Sequence, residues 1–434
     1  MAFRRVIAAV LAATLMTGGA TAAYAAAPAS IVAAAPETVG FSAEGLKKLD
    51  AHMQGLVDAG HLPGVTTMLV RHGKVVNYEV HGKKGFDGPP MTKDTVFRIY
   101  SQTKPVTGVA MMILFEEGKW KLDDPVSKFI PEFASLRVFK GVNADGSFDT
   151  VPADRPPTMR ELMSHSGGFA YGLVQDNPID KAYAEKVLGA KSRAEFVQNI
   201  AALPLVAQPG ARWKYSVSVD IQGLIIEKLT GMSLGDFMAK RIFEPLKMTD
   251  TGFWLPASKM DRLASLYLWG PKQNKLIPAE GFMVLDITKP PAMASGGGGL
   301  VSTNADYARF AQMLLNGGEL DGHRILKPES VKLMRTNALS DTIMSSDPSF
   351  STAKGRGFGL DFAVVLDSAK AGPYGQGTYS WGGAAGTWFW IDPKNDLFFL
   401  GMIHILNKQG DPAIKDIDDD SAKLVYDALI DPSK

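Results

Sequence analysis

The chain has 434 residues, 46% of them apolar and 21% charged, the balance of an ordinary globular protein. Its formal net charge is +1 and it has no Lys/Arg-rich run interleaved with aromatics, so neither nucleic acid nor an anionic membrane surface is an expected partner. Cysteine is absent, which excludes disulfides, thiolate catalysis and lipid attachment through a thiol.

The chain opens with a short basic stretch at Arg4-Arg5, an apolar run over residues 6–16 and an A-x-A site at Ala23-Tyr24-Ala25. The apolar run is shorter than the roughly 20 residues needed to span a bilayer. Residues 1–25 therefore read as a cleaved signal peptide, and the protein as a bacterial exported one, periplasmic or secreted, with no membrane contact after cleavage. Residues 26–36 are Ala/Pro-rich and read as a flexible lead-in.

Leu46, Leu49, Met53 and Leu56 recur at helical spacing behind Ser42, predicting an amphipathic helix over residues 42–57 capped by that serine. Two β-rich runs at 65–71 and 75–80, split by His72-Gly73-Lys74, predict a hairpin. The middle of the chain reads as mostly helical. Strand character returns over 357–366, 386–392 and 396–405, and a closing helix is expected over 418–429. Strands at both ends with helices between predict an α+β fold: an antiparallel sheet flanked by helices, built from residues 37–102 and 286–434, with an inserted helical domain over 103–285.

Three serine motifs compete for chemistry. Gly231-Met232-Ser233-Leu234-Gly235 matches a nucleophile elbow, but it lies between two helical stretches instead of after a strand, so Ser233 reads as a helix cap. Ser351-Thr352-Ala353-Lys354 and Ser101-Gln102-Thr103-Lys104 both match S-x-x-K. Ser351 sits in a polar stretch with no apolar periodicity behind it. Ser101 opens a helix carrying Val106, Val109, Met112 and Ile113 on its inner face, where a lysine three residues on shares the serine's side. A helix start adds free N–H groups beside a developing oxyanion. Burial is expected to lower the Lys104 pKa and make it a base.

Two later segments supply partners. Tyr215 precedes a predicted helix and can share proton transfer with a lysine. Trp381-Gly382-Gly383-Ala384 leads into a strand, where glycines mark close backbone approach and a strand N–H can complete an oxyanion hole.

Taken in order, Ser101-x-x-Lys104, Tyr215-Ser216-Val217 and Trp381-Gly382-Gly383 resemble the three motifs of the serine β-lactamase-like superfamily, in the branch of class C β-lactamases, D-alanyl-D-alanine carboxypeptidases and family VIII carboxylesterases. Residues 162–168, 242–249 and 295–302 are similar to that family as well. The resemblance implies that Ser101 is acylated, that Lys104 and Tyr215 form the base pair, and that the N–H groups of Ser101 and Ala384 form the oxyanion hole. Asp220 and His165 fall in the family's structural stretches and read as scaffold.

Two departures bear on substrate. Class C lactamases resemble Tyr-x-Asn at the second motif and Lys-Thr-Gly at the third, where this chain has Val217 and Trp381-Gly382-Gly383. Val217, Trp381, Gly382 and Gly383 are therefore expected to line a more apolar substrate site. The expected function is a carboxylesterase on short-to-medium acyl esters. The alternatives are a β-lactamase or D-alanyl-D-alanine carboxypeptidase/amidase, and a non-catalytic penicillin-recognising protein. The partner is a small-molecule ester or β-lactam. No metal or other cofactor is expected: the seven histidines show no H-x-x-x-H pairing, and Asp416, Asp418, Asp419 and Asp420 read as a helix start without an EF-hand pattern. Oligomeric state is left open.

Overall fold

A computed structural model describes residues 32–173, 177–281 and 284–432. The expected signal peptide and residues 26–31 of the lead-in lie outside the described residues. The main sheet has eight strands: β1 (Val32–Ala33), β2 (Gly64–Arg71), β3 (Lys74–Gly82), β4 (Arg356–Phe358), β5 (Ala363–Val365), β6 (Tyr379–Gly382), β7 (Thr387–Asp392) and β8 (Leu397–Met402). Their order is β1-β3-β2-β8-β7-β6-β5-β4, antiparallel except for the β1–β3 pair. Both ends of the chain thus build one sheet, as the strand pattern predicts.

The end of the lead-in is not loose, because Val32 and Ala33 pair with Lys74 and Val75. The single strand expected over 357–366 is two strands, β4 and β5. Between them Asp361 adopts a left-handed φ of 62°, which turns the chain back on itself.

Alternation along the central strands divides the core in two. Met68, Val70, Phe389, Ile391, Phe398 and Leu400 point to one face; Leu69, Trp388, Trp390, Leu397 and Phe399 point to the other. Against the second face pack α1 (Ala43–Asp58), which buries Leu46, Leu49, Met53 and Leu56 as its spacing predicts, and a C-terminal helix, Ile417–Ala428. Ser42 caps α1, its hydroxyl accepting from Gly45 N at 3.1 Å. The first face receives α2 (Lys104–Glu116), α3 (Ser218–Thr230) and α4 (Asn304–Leu315), which share one continuous core.

The stretch expected to be mostly helical also holds two hairpins, Arg137–Val142 with Phe148–Pro152 and Tyr267–Gly270 with Lys275–Pro278. The second pairs in parallel with Ile405–Leu406, just past β8, so it is hydrogen-bonded to the sheet half of the molecule.

The segment before α2 is fixed from both sides. Phe97 and Arg98 pair with Ser302 and Val301, Ile99 N donates to Leu300 O at 3.0 Å, and Leu300 N donates to Thr103 Oγ1 at 3.1 Å. On the other flank Thr387 Oγ1 donates to Ile99 O at 3.3 Å. Gly383 makes this approach possible: a Cβ there would lie 2.3 Å from Ile99 O and 2.5 Å from Thr387 Oγ1. Gly383→Ala is therefore expected to push the Ile99–Ser101 segment out of place. The circular dichroism spectrum should stay folded while the rate of Ser101 labelling by a fluorophosphonate drops by about 10²-fold, the scale of a lost oxyanion donor. An unchanged labelling rate would show that the close packing is dispensable.

Candidate active site

Ser101 lies in a 3₁₀ turn, Tyr100–Thr103, that runs directly into α2. The preceding residue, Tyr100, has φ of 42°, a left-handed conformation that is unfavourable for an aromatic residue and sharpens the turn presenting the serine. Lys104 begins α2 and is 1% exposed. Its Nζ donates to Ser101 Oγ at 3.3 Å, to Tyr171 Oη at 3.1 Å and to Gly297 O at 2.7 Å. An ammonium has three N–H donors, and each finds an acceptor here.

This arrangement corrects the expectation about the Lys104 charge. Burial does pull its pKa down, but Tyr171, Tyr215 and Asp220 together outweigh burial and hold it above the ordinary lysine value. Lys104 is an ammonium in the resting site. Tyr171 moves upward, because burial outweighs the opposing pull of Lys104.

Tyr215 joins the cluster from the loop before α3. Its ring lies 4.6 Å from Lys104 Nζ and packs against Tyr171 (5.1 Å), His165 (5.0 Å), Trp381 (5.5 Å) and Trp213 (6.1 Å, stacked). The Tyr215 hydroxyl is buried beside Lys104, which bonds Tyr171 Oη at 3.1 Å.

Tyr171 and Gly297 were not singled out from sequence. Tyr171 follows Ser164-His165-Ser166-Gly167-Gly168, and Gly297 sits within Ser295-Gly296-Gly297-Gly298-Gly299, so the family-like stretches point to both neighbourhoods without naming the atom used. Asp220, in the first turn of α3, holds the glycine segment: its Oδ1 accepts from Ser295 Oγ at 2.6 Å and Gly297 N at 3.1 Å. A Cβ on Gly297 would lie 2.5 Å from Asp220 Oδ2, so glycine is required there. His165 fits its scaffold reading. It is fully buried, Nδ1 is 2.9 Å from Ser216 Oγ, and burial together with the Lys104 charge keeps its pKa well below the ordinary value.

Ser101 opens onto a cavity of about 180 Å³. Its apolar wall is Leu173, Val187, Leu188, Phe196, Leu285 and Met293, and its polar lining includes Tyr100, Tyr171, Asp220, Ser295 and Ala384. Neither the Ser101 nor the Ala384 N–H donates to a protein acceptor among the described residues, so both are available to an oxyanion. A second cavity of about 250 Å³ adjoins it, sharing Tyr171 and Leu173 and lined also by Trp213, Lys214 and Tyr215.

The expected substrate-lining residues divide. Trp381 packs on Tyr215 at the edge of the site, and Gly383 serves the backbone approach to Ile99. Gly382 is confined in the same way, since a Cβ there would lie 2.9 Å from Thr387 O. Val217 contradicts its assignment. It is 0% exposed at the N-cap of α3, its N–H bonds Ala170 O at 3.0 Å, and its side chain belongs to the core, leaving no surface for a ligand.

The rival serines form no comparable site. Ser233 caps a short helix, accepting from Asp236 N at 3.1 Å. Ser351 is buried while Lys354 is exposed, so the pair is not brought together for catalysis. Among the described residues no group of His, Asp and Glu is arranged to hold a metal ion. Asp418, Asp419 and Asp420 lie in the first turn of the C-terminal helix, as expected for acidic residues at a helix start.

The Beta-lactamase family model matches residues 49–424. The chain is 41% identical over 362 residues to protein Rv1367c of Mycobacterium tuberculosis, an alignment covering 81% of this chain and 88% of that protein. It is 31% identical over 388 residues to the lovastatin esterase of Penicillium rubens, covering 84% of this chain and 94% of the relative. Among solved structures, EstCE1, a hydrolase with promiscuous acyltransferase activity, superposes with a TM-score of 0.72 at 25% identity over 89% of this chain and 98% of its own. The chain belongs to the Beta-lactamase family, with the β-lactamase/transpeptidase-like fold, and is a serine hydrolase of that superfamily.

Proposed function

We propose that the protein is a carboxylesterase that forms an acyl-enzyme at Ser101 on short-to-medium acyl esters. The observation that carries this reading is the lining of the Ser101 cavity. Among its described residues there is no Lys, Arg or His, and the one carboxylate is Asp220. A carboxylate on the acyl side would meet an apolar wall and Asp220, and only the adjoining cavity carries cations, Arg212 and Lys214, of which Lys214 is paired with Asp180 at 2.7 Å. A neutral ester meets neither penalty. The esterase names of relatives support the same side. The leader pattern of residues 1–25 supports export.

In the proposed chemistry Lys104 and Tyr215 act together as the base pair, with Lys104 Nζ 3.3 Å from Ser101 Oγ and 4.6 Å from the Tyr215 ring centre. Ser101 Oγ gives its proton to the Lys104–Tyr215 pair as it attacks the acyl carbon, with the Ser101 and Ala384 N–H groups receiving the oxyanion. The proton then passes to the departing alcohol oxygen. Water repeats the sequence to release the acid.

A fluorophosphonate should label Ser101, and Ser101→Ala should abolish both labelling and ester hydrolysis; a labelled Ser233 or Ser351 would overturn the assignment. Tyr215→Phe should lower kcat by about 10²–10⁴-fold, the range of a lost general acid–base group, with the fold retained. Tyr171→Phe should cost less, because it removes one of three acceptors for Lys104 and leaves the Tyr215 oxygen in place. Equal losses in the two variants would move the base role to the tyrosine pair. In a side-by-side assay, p-nitrophenyl butyrate should be turned over much faster than a chromogenic cephalosporin. Faster lactam turnover would favour the β-lactamase alternative.

A further inference from the structure

The two cavities at the site are not equivalent. Ser101 and Ala384 line the first and Tyr215 lines the second, with Tyr171 and Leu173 forming the partition between them. This arrangement orients an ester. The acyl carbon must sit on Ser101 with its oxygen toward the Ser101 and Ala384 N–H groups. The leaving oxygen must face the proton carried by the Lys104–Tyr215 pair. The alcohol part therefore lies on the second-cavity side, and the acyl chain runs into the first.

The first cavity has an open end and a closed end. Leu173 is 38% exposed, and Ala384 is also exposed, so they form the mouth. Phe196 and Val187 are 3% and 1% exposed and close the far end. Phe196 stands on the helix Arg193–Ala202, which also buries Ile200 in the core, so its ring cannot swing outward without exposing apolar surface. Val187 ends the π-helical turn Tyr183–Val187, whose fixed backbone leads into Leu188 on the same wall. An apolar cavity of about 150 Å³ holds a benzene ring, so the roughly 180 Å³ here suits an unbranched or branched acyl group of about six carbons.

We propose that Phe196, backed by Val187, is the specificity-determining floor of an acyl chamber that limits substrates to acyl groups of about six carbons or fewer, while the alcohol part occupies the cavity beside Tyr215. This rests on the esterase reading for its natural substrate, but the chamber can be tested apart from turnover. In the step concerned, the Ser101 Oγ–acyl bond forms and the acyl–alcohol C–O bond breaks. The serine proton ends on the alcohol.

The test compares two ester series on the full chain: p-nitrophenyl esters from acetate to decanoate, and alkyl acetates from ethyl to octyl. Phe196→Leu and Phe196→Ala should raise the octanoate-to-butyrate ratio of kcat/KM by about tenfold or more, the low end for relieving a methylene-scale clash, and leave the ranking of alkyl acetates as in the wild type. Val187→Phe should shift the optimum to shorter acyl groups. Labelling of Ser101 by methyl- and octyl-phosphonofluoridates gives the same readout without turnover, because the P–alkyl group stands where the acyl chain would. Should Phe196→Ala fail to fold, Phe196→Leu and Val187→Phe carry the test. Length discrimination in labelling that Phe196→Leu relieves, in an enzyme that hydrolyses no ester, would sink the esterase reading and leave the chamber standing. An acyl-length profile indifferent to all three variants, or an effect confined to the alkyl acetates, would overturn the chamber itself.

Discussion

The site depends on burying one ammonium. Removing a lysine charge from water costs several kcal/mol unless its donors and its charge are both compensated. Lys104 meets the first condition with Ser101 Oγ, Tyr171 Oη and Gly297 O, and the second with nearby Asp220. Each acceptor comes from a different part of the chain, so the charge can be buried only after those parts have assembled. Gly297 reaches it because Asp220 ties the glycine segment down, and Thr107 on α2 donates to Gly296 O at 2.7 Å. Lys104 thereby fastens the start of α2 to the Tyr171 loop and the glycine loop, which Asp220 ties to α3.

The strained turn follows from the same assembly. A left-handed Tyr100 costs on the order of 1–3 kcal/mol and persists only where its surroundings leave no alternative. Here both flanks are pinned, by the ladder with Val301–Ser302 on one side and by Gly383 and Thr387 on the other. Strain at Tyr100 aims the serine at the cavity mouth, and the sheet, which is fully buried along β7 and β8, supplies the rigidity that holds it.

What was legible in the sequence follows from how local each cause is. Helix α1 and the β2–β3 hairpin are written in spacings of a few residues, and they fold as those spacings predict. The S-x-x-K serine was separable from its rivals because the apolar face behind it is local too. The failures are of another kind. The charge of Lys104 is decided by tyrosines and a carboxylate from distant segments, so burial alone gave the wrong sign. Val217 looked like a lining residue because it follows the family-like Tyr215-Ser216 pair, but its position at the start of α3 turns it into the core. The break between β4 and β5 rests on one aspartate at positive φ, which a β-rich run conceals. Tyr171 and Gly297 matter through single oxygen atoms, and no residue-type pattern names an oxygen.

The charge balance of the finished site explains why an apolar chamber and a buried cation can coexist. Two further ionisable groups lie near Lys104, and burial keeps both neutral. Asp361, bound through Oδ1 by Gln222 Nε2 at 3.1 Å, is pushed well above the carboxylate range, and His165 is pushed well below the imidazole range. That leaves Lys104 and Asp220 on either side of the glycine loop, with no Lys or Arg lining the Ser101 cavity among the described residues; Arg212 and Lys214 line the adjoining one. The positive field acts locally, on the serine oxygen 3.3 Å away and on the two tyrosine rings beside it.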